Sequence, residues 1–446
     1  MTKYLGIRTV TFAGGLLAAV IPLYAGATDL VTILQQAIRT DPQYREAQAN
    51  AQAIAEEIPQ AQAALYLPEI RLNGSIGRVR QDITLEDAFG QDGVGYYTGK
   101  QYRATLSQPV IHLDRYVALK QANKQVQQAQ YELDAARQDL VVRTAERYFD
   151  VLAAQDNLEF ATAEKQSLQG QLEQAKQRFE VGLIAITDVQ EAQAGFDRAL
   201  ASEIVAENEL DNTREALRET TAIYYDDLSK LGSSIRLAPP DPADIDEWTG
   251  TAIAQNLDVA AANVAADIAL DEIKFQKAGH YPTLDINGTH SYNDQGGRFG
   301  ASETHQSDIT LELNVPFYLG GRIESATRQA TYEYSAALQR LEQAKRAVFR
   351  ETRQAYLGVI AQISTVKALR QAVLSSETAV DSTNAGFEVG TRTGVDVVDA
   401  ERELFEARRD LSRARYDYIV DILRLKQAAG TLVVEDLLIA NSWLVE

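Results

Sequence analysis

Apolar residues recur along this chain with two periods, and the change of period divides it. In the first half Val126, Leu133 and Leu140 are spaced by seven, and Val151, Leu158, Leu172 and Phe179 continue that frame after a step of eleven. In the second half Leu341 and Val348 are followed, again after eleven, by Val359, Val366, Val373, Val380 and Phe387. Sevens predict helices that supercoil around a shared seam, and an eleven is a four-residue insertion that locally unwinds the supercoil. The same interruption at matching places implies duplication, with Phe179-Glu180-Val181-Gly182 repeated 208 positions later as Phe387-Glu388-Val389-Gly390. A second run follows each turn: Val189, Phe196, Leu210 and Leu217, broken at Glu203, and Val397, Leu404, Leu411, Tyr418 and Leu425. From Asp114 to Phe179 a continuous helix extends on the order of 100 Å. Gly182 and Gly390 stand where a left-handed cap ends such a helix, and Thr187 or Thr393 is placed to cap the returning one. Each half therefore holds a helical hairpin much longer than a globular core requires.

Four segments instead alternate with period two. Leu72, Gly74 and Ile76 oppose Arg71, Asn73 and Ser75, while Tyr102, Ala104 and Leu106 oppose Arg103, Thr105 and Ser107. Leu284, Ile286 and Gly288 oppose Asp285, Asn287 and Thr289. Ile309, Leu311, Leu313, Val315 and Phe317 oppose Thr310, Glu312 and Asn314. These read as two β-hairpins with polar tips at Gln81 to Gly99 and Asn293 to His305, each flanked by long helices that leave its apolar face uncovered. Strands of this kind cover a soluble core or stand in lipid with polar side chains toward a lumen. Membrane barrels start at about eight strands and tolerate no open edge, so four strands demand several chains.

The first 27 residues read as a signal peptide: Lys3 and Arg8, an apolar Val10 to Val20, then Ala25-Gly26-Ala27. Their removal moves the net charge from −20 to −22, which disfavours nucleic acid as a partner. There is no cysteine for disulfides or lipidation. No run of about 18 apolar residues follows the leader, so membrane attachment falls to strands. His112, His280, His290 and His305 lack metal-ligand spacing. Gly93 to Lys100 departs from a phosphate loop at Val94 and Gln101, and no nucleophile elbow occurs. The chain reads as neither an enzyme nor a cofactor carrier. A secreted trimeric coiled-coil surface protein, such as an adhesin-like stalk, would need the strands to pack in a soluble head. A periplasmic adaptor usually has one hairpin per chain with a lipoyl-like domain.

Over essentially the whole mature sequence the chain resembles the TolC family of outer-membrane efflux proteins. The resemblance is carried by Gln177-Arg178-Phe179-Glu180-Val181-Gly182-Leu183-Ile184-Ala185-Ile186-Thr187-Asp188-Val189-Gln190 and by Val389-Gly390-Thr391-Arg392-Thr393-Gly394-Val395-Asp396-Val397-Val398-Asp399-Ala400. Tyr281-Pro282-Thr283-Leu284, Val315-Pro316-Phe317-Tyr318-Leu319-Gly320-Gly321 and Ala428-Ala429-Gly430-Thr431-Leu432 add to it. It implies a mixed α+β membrane protein: a homotrimer with a 12-strand β-barrel in outer-membrane lipid, continuous with a 12-helix α-barrel crossing the periplasm. Helices around Ala37 to Leu65, Thr249 to Gln276 and the C-terminus would form a belt. The implied divisions are a signal peptide 1–27, repeats 28–230 and 231–434, and a C-terminal equatorial segment 435–446. The implied partners are a periplasmic adaptor and an inner-membrane transporter of RND, ABC or MFS type, in multidrug efflux or type I secretion.

The resemblance also assigns roles at the helix turns. Asp396 and Asp399 match lumen-facing acidic rings at the closed periplasmic end, a possible site for a cation. Two carboxylates about 6 Å apart repel by about 3 kcal/mol at an effective dielectric near 20, so such rings imply raised pKa values and exclusion of anions. Arg392 matches a closed-state latch, with Thr187 and Asp188 as its partners on the neighbouring hairpin. Val181-Gly182-Leu183 and Val389-Gly390-Thr391 match adaptor-contacting tips. The sequence departs from the pattern at Phe387, where a tyrosine is expected and one closing hydrogen bond is lost.

Overall fold

The computed structural model describes residues 27–84, 93–232, 235–296 and 300–445; the expected signal peptide, apart from Ala27, lies outside them. Helices α1 (Leu30–Thr40), α2 (Pro42–Ala55) and α3 (Glu57–Tyr66) lead into strands β1 (Glu69–Ile83) and β2 (Gly93–Ile111). The long helices α4 (Leu113–Glu180) and α5 (Ile186–Thr221) follow, then the short strand β3 (Lys230–Leu231). The order then repeats as α6 (Ile245–Gln255), α7 (Leu257–Ala278), β4 (Thr283–Gln295), β5 (Ser302–Asn314), α8 (Arg322–Glu388) and α9 (Gly394–Ala428). Helix α10 (Val434–Asn441) and β6 (Leu444–Val445) end the chain, with β6 antiparallel to β3.

The duplication reaches the short helices. Asp41 and Asn256 each end one helix and begin the next: Asp41 accepts from the Tyr44 N–H at 2.7 Å, and Asn256 accepts from the Asp258 and Val259 N–H groups. These caps break the expected belt helices at Asp41 and Asn256, because a side chain that satisfies the new helix's free N–H groups makes the break favourable; a further break at Glu56 has no such cap.

Helices α4 and α8 contain no proline and run 68 and 67 residues, about 100 Å each. Leu140, Val151 and Leu172 of the first frame are buried, as are Leu341, Val348, Val359 and Val366 of the second. The frame fails at Lys165 and Glu203 on opposite helices, and the two failures meet. The Lys165 ammonium donates to both Glu203 oxygens, at 2.5 and 2.6 Å, and the Thr162 hydroxyl adds a third bond at 3.1 Å. The Lys165 bonds hold the Glu203 carboxyl below its usual range. An unpaired charge in the seam would be costly, whereas this pair fixes the register of α4 against α5.

The largest core lies at the waist, around the stutter in α4. Tyr148 and Phe149 are buried edge to face with centroids 5.5 Å apart, and Phe149 stacks on Tyr416 of α9 at 5.7 Å. The Tyr148 hydroxyl donates to the Ser229 carbonyl at 2.7 Å. Between Leu140 and Leu152 α4 is buried on more than one face, since α1, α5, α9 and α10 surround it. A strict seven-residue seam would serve only one of those neighbours, which accounts for the insertion. Helix α10 is tied here too, to Asp29 at the start of α1 by Asn441 donating at 3.0 Å and to α9 by the Lys426–Asp436 ion pair.

The strands form one antiparallel sheet in the order β1-β2-β4-β5. Register aligns the apolar side chains in rows across it: Ile70, Leu106, Gly288 and Ile309 form one, and Gly74, Tyr102, Tyr292 and His305 another. In the second row Tyr102 stacks on Tyr292 at 5.0 Å, and His305 lies 4.9 Å from Tyr292. At the other end Phe317 and Tyr318 are 98% and 82% exposed, so aromatics bound the apolar band on both sides, as at the two interfaces of a bilayer. Ile70, Leu72, Ile309, Leu311 and Leu313 are all exposed on this face, while Arg71, Thr105, Thr289 and Asp308 form a row on the other.

The ribbons extend further than the alternation suggests. Ile83 pairs with Gly93 and Gln295 with Ser302, so much of each expected polar tip is strand. Backbone pairing continues after the period-two signal fades, because ladder hydrogen bonds do not depend on which side chains the strands carry. Among the described residues strands β1 and β5 each keep an open edge, and the sheet shares no core with the waist. Among the described residues no helix is long and apolar enough to cross a membrane.

Candidate functional site

The two helix turns farthest from the sheet share one backbone design. Leu183 N–H donates to Arg178 O at 2.9 Å and Thr391 N–H to Gly386 O at 2.8 Å, each wrapping the chain around a left-handed glycine. These are Gly182 and Gly390, with φ of 75° and 77°. The adjoining apolar side chains face solvent: Val181, Leu183 and Val389 are each at least 70% exposed. Apolar groups held outward on rigid turns form a surface suited to docking.

The returning helices differ. Thr393 caps α9 and makes a reciprocal pair with Asp396: its hydroxyl accepts from Asp396 N–H at 3.3 Å, while its own N–H donates to the Asp396 carboxylate at 2.8 Å. The Thr393 N–H, helped by its hydroxyl and Arg392, holds the Asp396 carboxyl below its ordinary value. The raised pKa expected of an acidic ring is therefore not a property of one chain. It would need several copies to converge. In the first half Ala185 holds the cap position and Thr187 lies one residue inside α5, so Thr187 does not cap. Ala185 has no side-chain acceptor, yet the Asp188 carboxylate still turns back to its N–H at 3.2 Å.

Arg392 is 60% exposed and reaches Asp396 only at 3.9 Å. Among the described residues it makes no bond to Thr187 or Asp188 within the chain. Asp399 pairs with Arg402 at 3.1 Å. Asp188 instead lines a small crevice with Phe387, Asn384 and Ile184, where the two hairpins meet. The 208-residue offset exposes one contact that periodicity alone misses: Gly386 occupies the place of Arg178. A Cβ on Gly386 would approach Arg392 Cγ to 2.7 Å, so this glycine gives Arg392 its room. Arg392 replaces Ile184, which packs on the first hairpin's apolar seam. The second turn has exchanged an apolar anchor for an exposed cation. No metal-holding group of three or more His, Asp or Glu occurs among the described residues.

The sequence matches the family "Outer membrane efflux protein" over residues 33–222 and 248–431. It is 40% identical over 423 residues to outer membrane protein TolC of Vibrio cholerae, covering 94% of each chain. It is 28% identical to the alkaline protease secretion protein AprF of Pseudomonas aeruginosa, covering 96% of this chain and 90% of that one. The fold superposes on the Campylobacter jejuni CmeC outer membrane channel with a TM-score of 0.76 at 15% identity, covering 96% and 94%. The open-edged sheet, the paired long hairpins and these matches over both halves agree: the chain belongs to the outer membrane efflux protein family, the TolC-type channels of the outer membrane, which transport and do no chemistry.

Proposed function

We propose that three copies close their sheets edge to edge into a 12-strand barrel and their hairpins into a 12-helix conduit. The duct serves efflux pumps, type I secretion systems or both. The observation that carries this reading is the four-stranded sheet with two open edges and one apolar face, which cannot exist alone in lipid. Four strands and two helical hairpins per chain give, in three copies, the twelve strands and twelve long helices of this reading. Exposed apolar residues on the long helices, among them Val205, Leu357 and Leu374, suit neighbours in the same conduit. In this reading residues 28–230 and 231–434 are the two repeats, 435–446 is an equatorial segment, and 1–27 is removed on export.

The far end opens by an iris-like movement of the coiled helices once an adaptor and an inner-membrane RND, ABC or MFS transporter dock. Val181, Gly182, Leu183, Val389, Gly390 and Thr391 supply the docking turns. Arg392 holds Thr187 and Asp188 of the neighbouring hairpin through charge-assisted bonds, and Asp396 and Asp399 line the aperture. Cargo class follows from the transporter recruited, which affinity capture of the assembled complex identifies.

Planar-bilayer recordings test the aperture. Asp396→Ala with Asp399→Ala is expected to reduce cation over anion selectivity and to abolish block by divalent cations; unaltered permeability ratios would remove both residues from the aperture. Arg392→Ser is expected to raise basal conductance several-fold, and a closed state indistinguishable from the parent's would remove the latch.

A further inference from the structure

The sequence lacks the hydroxyl that would tie one hairpin to the other at Phe387, yet the structure supplies a different tie at that ring. The Arg178 guanidinium, on the last turn of α4, lies over the Phe387 ring with its carbon 4.5 Å from the centroid. Phe387 is on the last turn of α8, so this contact joins the two hairpins where each reverses. The same ring lines the crevice containing Asp188 and would meet a Cβ on Gly394 at 3.9 Å. The turn geometry fixes both partners. Arg178 O is bound by Leu183 N–H, and Phe387 O by Gly390 N–H at 3.2 Å. The duplication makes the arrangement one-sided: Gly386 stands where a second Arg178 would be, so the second hairpin has no equivalent of Arg178 to offer Phe179.

We propose that Arg178 is a positioning residue whose stacking on Phe387 holds the two hairpin turns of a protomer together in the closed state. Its role in closure rests on the gating reading above. A cation over an aromatic face is attracted by the ring's electron-rich surface, and unlike a hydroxyl bond it tolerates sliding.

The chain has no cysteine, so a spin-labelled Val181→Cys, Val389→Cys pair in the assembled protein reports the distance between turns directly. Arg178→Met or Phe387→Leu is expected to lengthen and broaden that distance, and Arg178→Lys to keep it narrow. Open probability in planar bilayers should rise about three-fold per protomer, and about thirty-fold when three copies lose the contact. Unchanged distances in both Arg178→Met and Phe387→Leu overturn the proposal. Independent, additive effects in the double variant overturn it too, because paired groups must share one effect. Broadened distances with unchanged conductance uphold the tie and overturn the gating reading instead.

Discussion

Gly430→Ala is expected to keep the chain from accumulating in the outer membrane. Gly430 has a φ of 72°, a conformation that costs other residues about 1–2 kcal/mol. The larger effect is steric: an added Cβ would stand 2.5 Å from Gln255 O and 2.7 Å from Asn256 Cα, all backbone. No side-chain rotation relieves that overlap. Either the end of α9 withdraws from the α6–α7 junction, or Asn256 loses its bond to the Ala428 carbonyl at 3.0 Å. Both routes open the waist, where α10 is also tied to the start of α1. Losses above about 4 kcal/mol are exceptional for one substitution, and this position combines two of the mechanisms that reach them. Gly182→Ala is the control. Its φ is nearly the same, at 75°, but nothing lies within 4 Å of the added carbon, so only the conformational cost of about 1–2 kcal/mol applies. Thermal denaturation and the yield of heat-modifiable oligomer separate the two variants; equal stability would show that the waist yields where the packing says it cannot.

The second large effect is expected at Ile309→Arg. In a single chain Ile309 is 84% exposed, and on a water-facing surface such a change stays within about 0.5 kcal/mol. Ile309 lies in the row with Gly288, Leu106 and Ile70, between the aromatic residues that bound the band. A cation at that depth of a lipid-facing barrel costs about 2–4 kcal/mol, incurred once in every chain of the assembly. Gln306→Arg introduces the same cation on the opposite face, in the row of Arg103 and Ser291, where the proposed water-filled lumen would accept it. Urea titrations of the two variants refolded into lipid vesicles read the difference. Equal midpoints would mean that the apolar face does not meet lipid.

Much of this architecture was legible in the linear chain. The helix expected from about Asp114 to Phe179 is α4 to within a residue of its ends, and the paired stutters revealed the duplication. Four alternating segments with no local cover implied several copies in lipid. Such signals survive in one dimension because helices and strands repeat geometrically, so each residue's face follows from its position along its own element. The backbone shared by the two turns was legible for the same reason, as Gly182 and Gly390 mark a conformation other residues avoid.

What the fold decided is which distant faces meet. Alternation gave two hairpins, but only the register of β2 on β4 joined them into one sheet with its edges at β1 and β5. The breaks at Lys165 and Glu203 look like defects until the helices fold back and each supplies the other's counter-charge. Phe387 reads as the loss of a hydroxyl, and Arg178 acquires a place beside it only when the two hairpins pack. Asn441 finds Asp29 from the far end of the chain. Periodicity records the face a residue presents and carries nothing about the partner waiting there. That partner is selected by packing, charge pairing and hydrogen-bond satisfaction, which take effect when the elements come together in three dimensions.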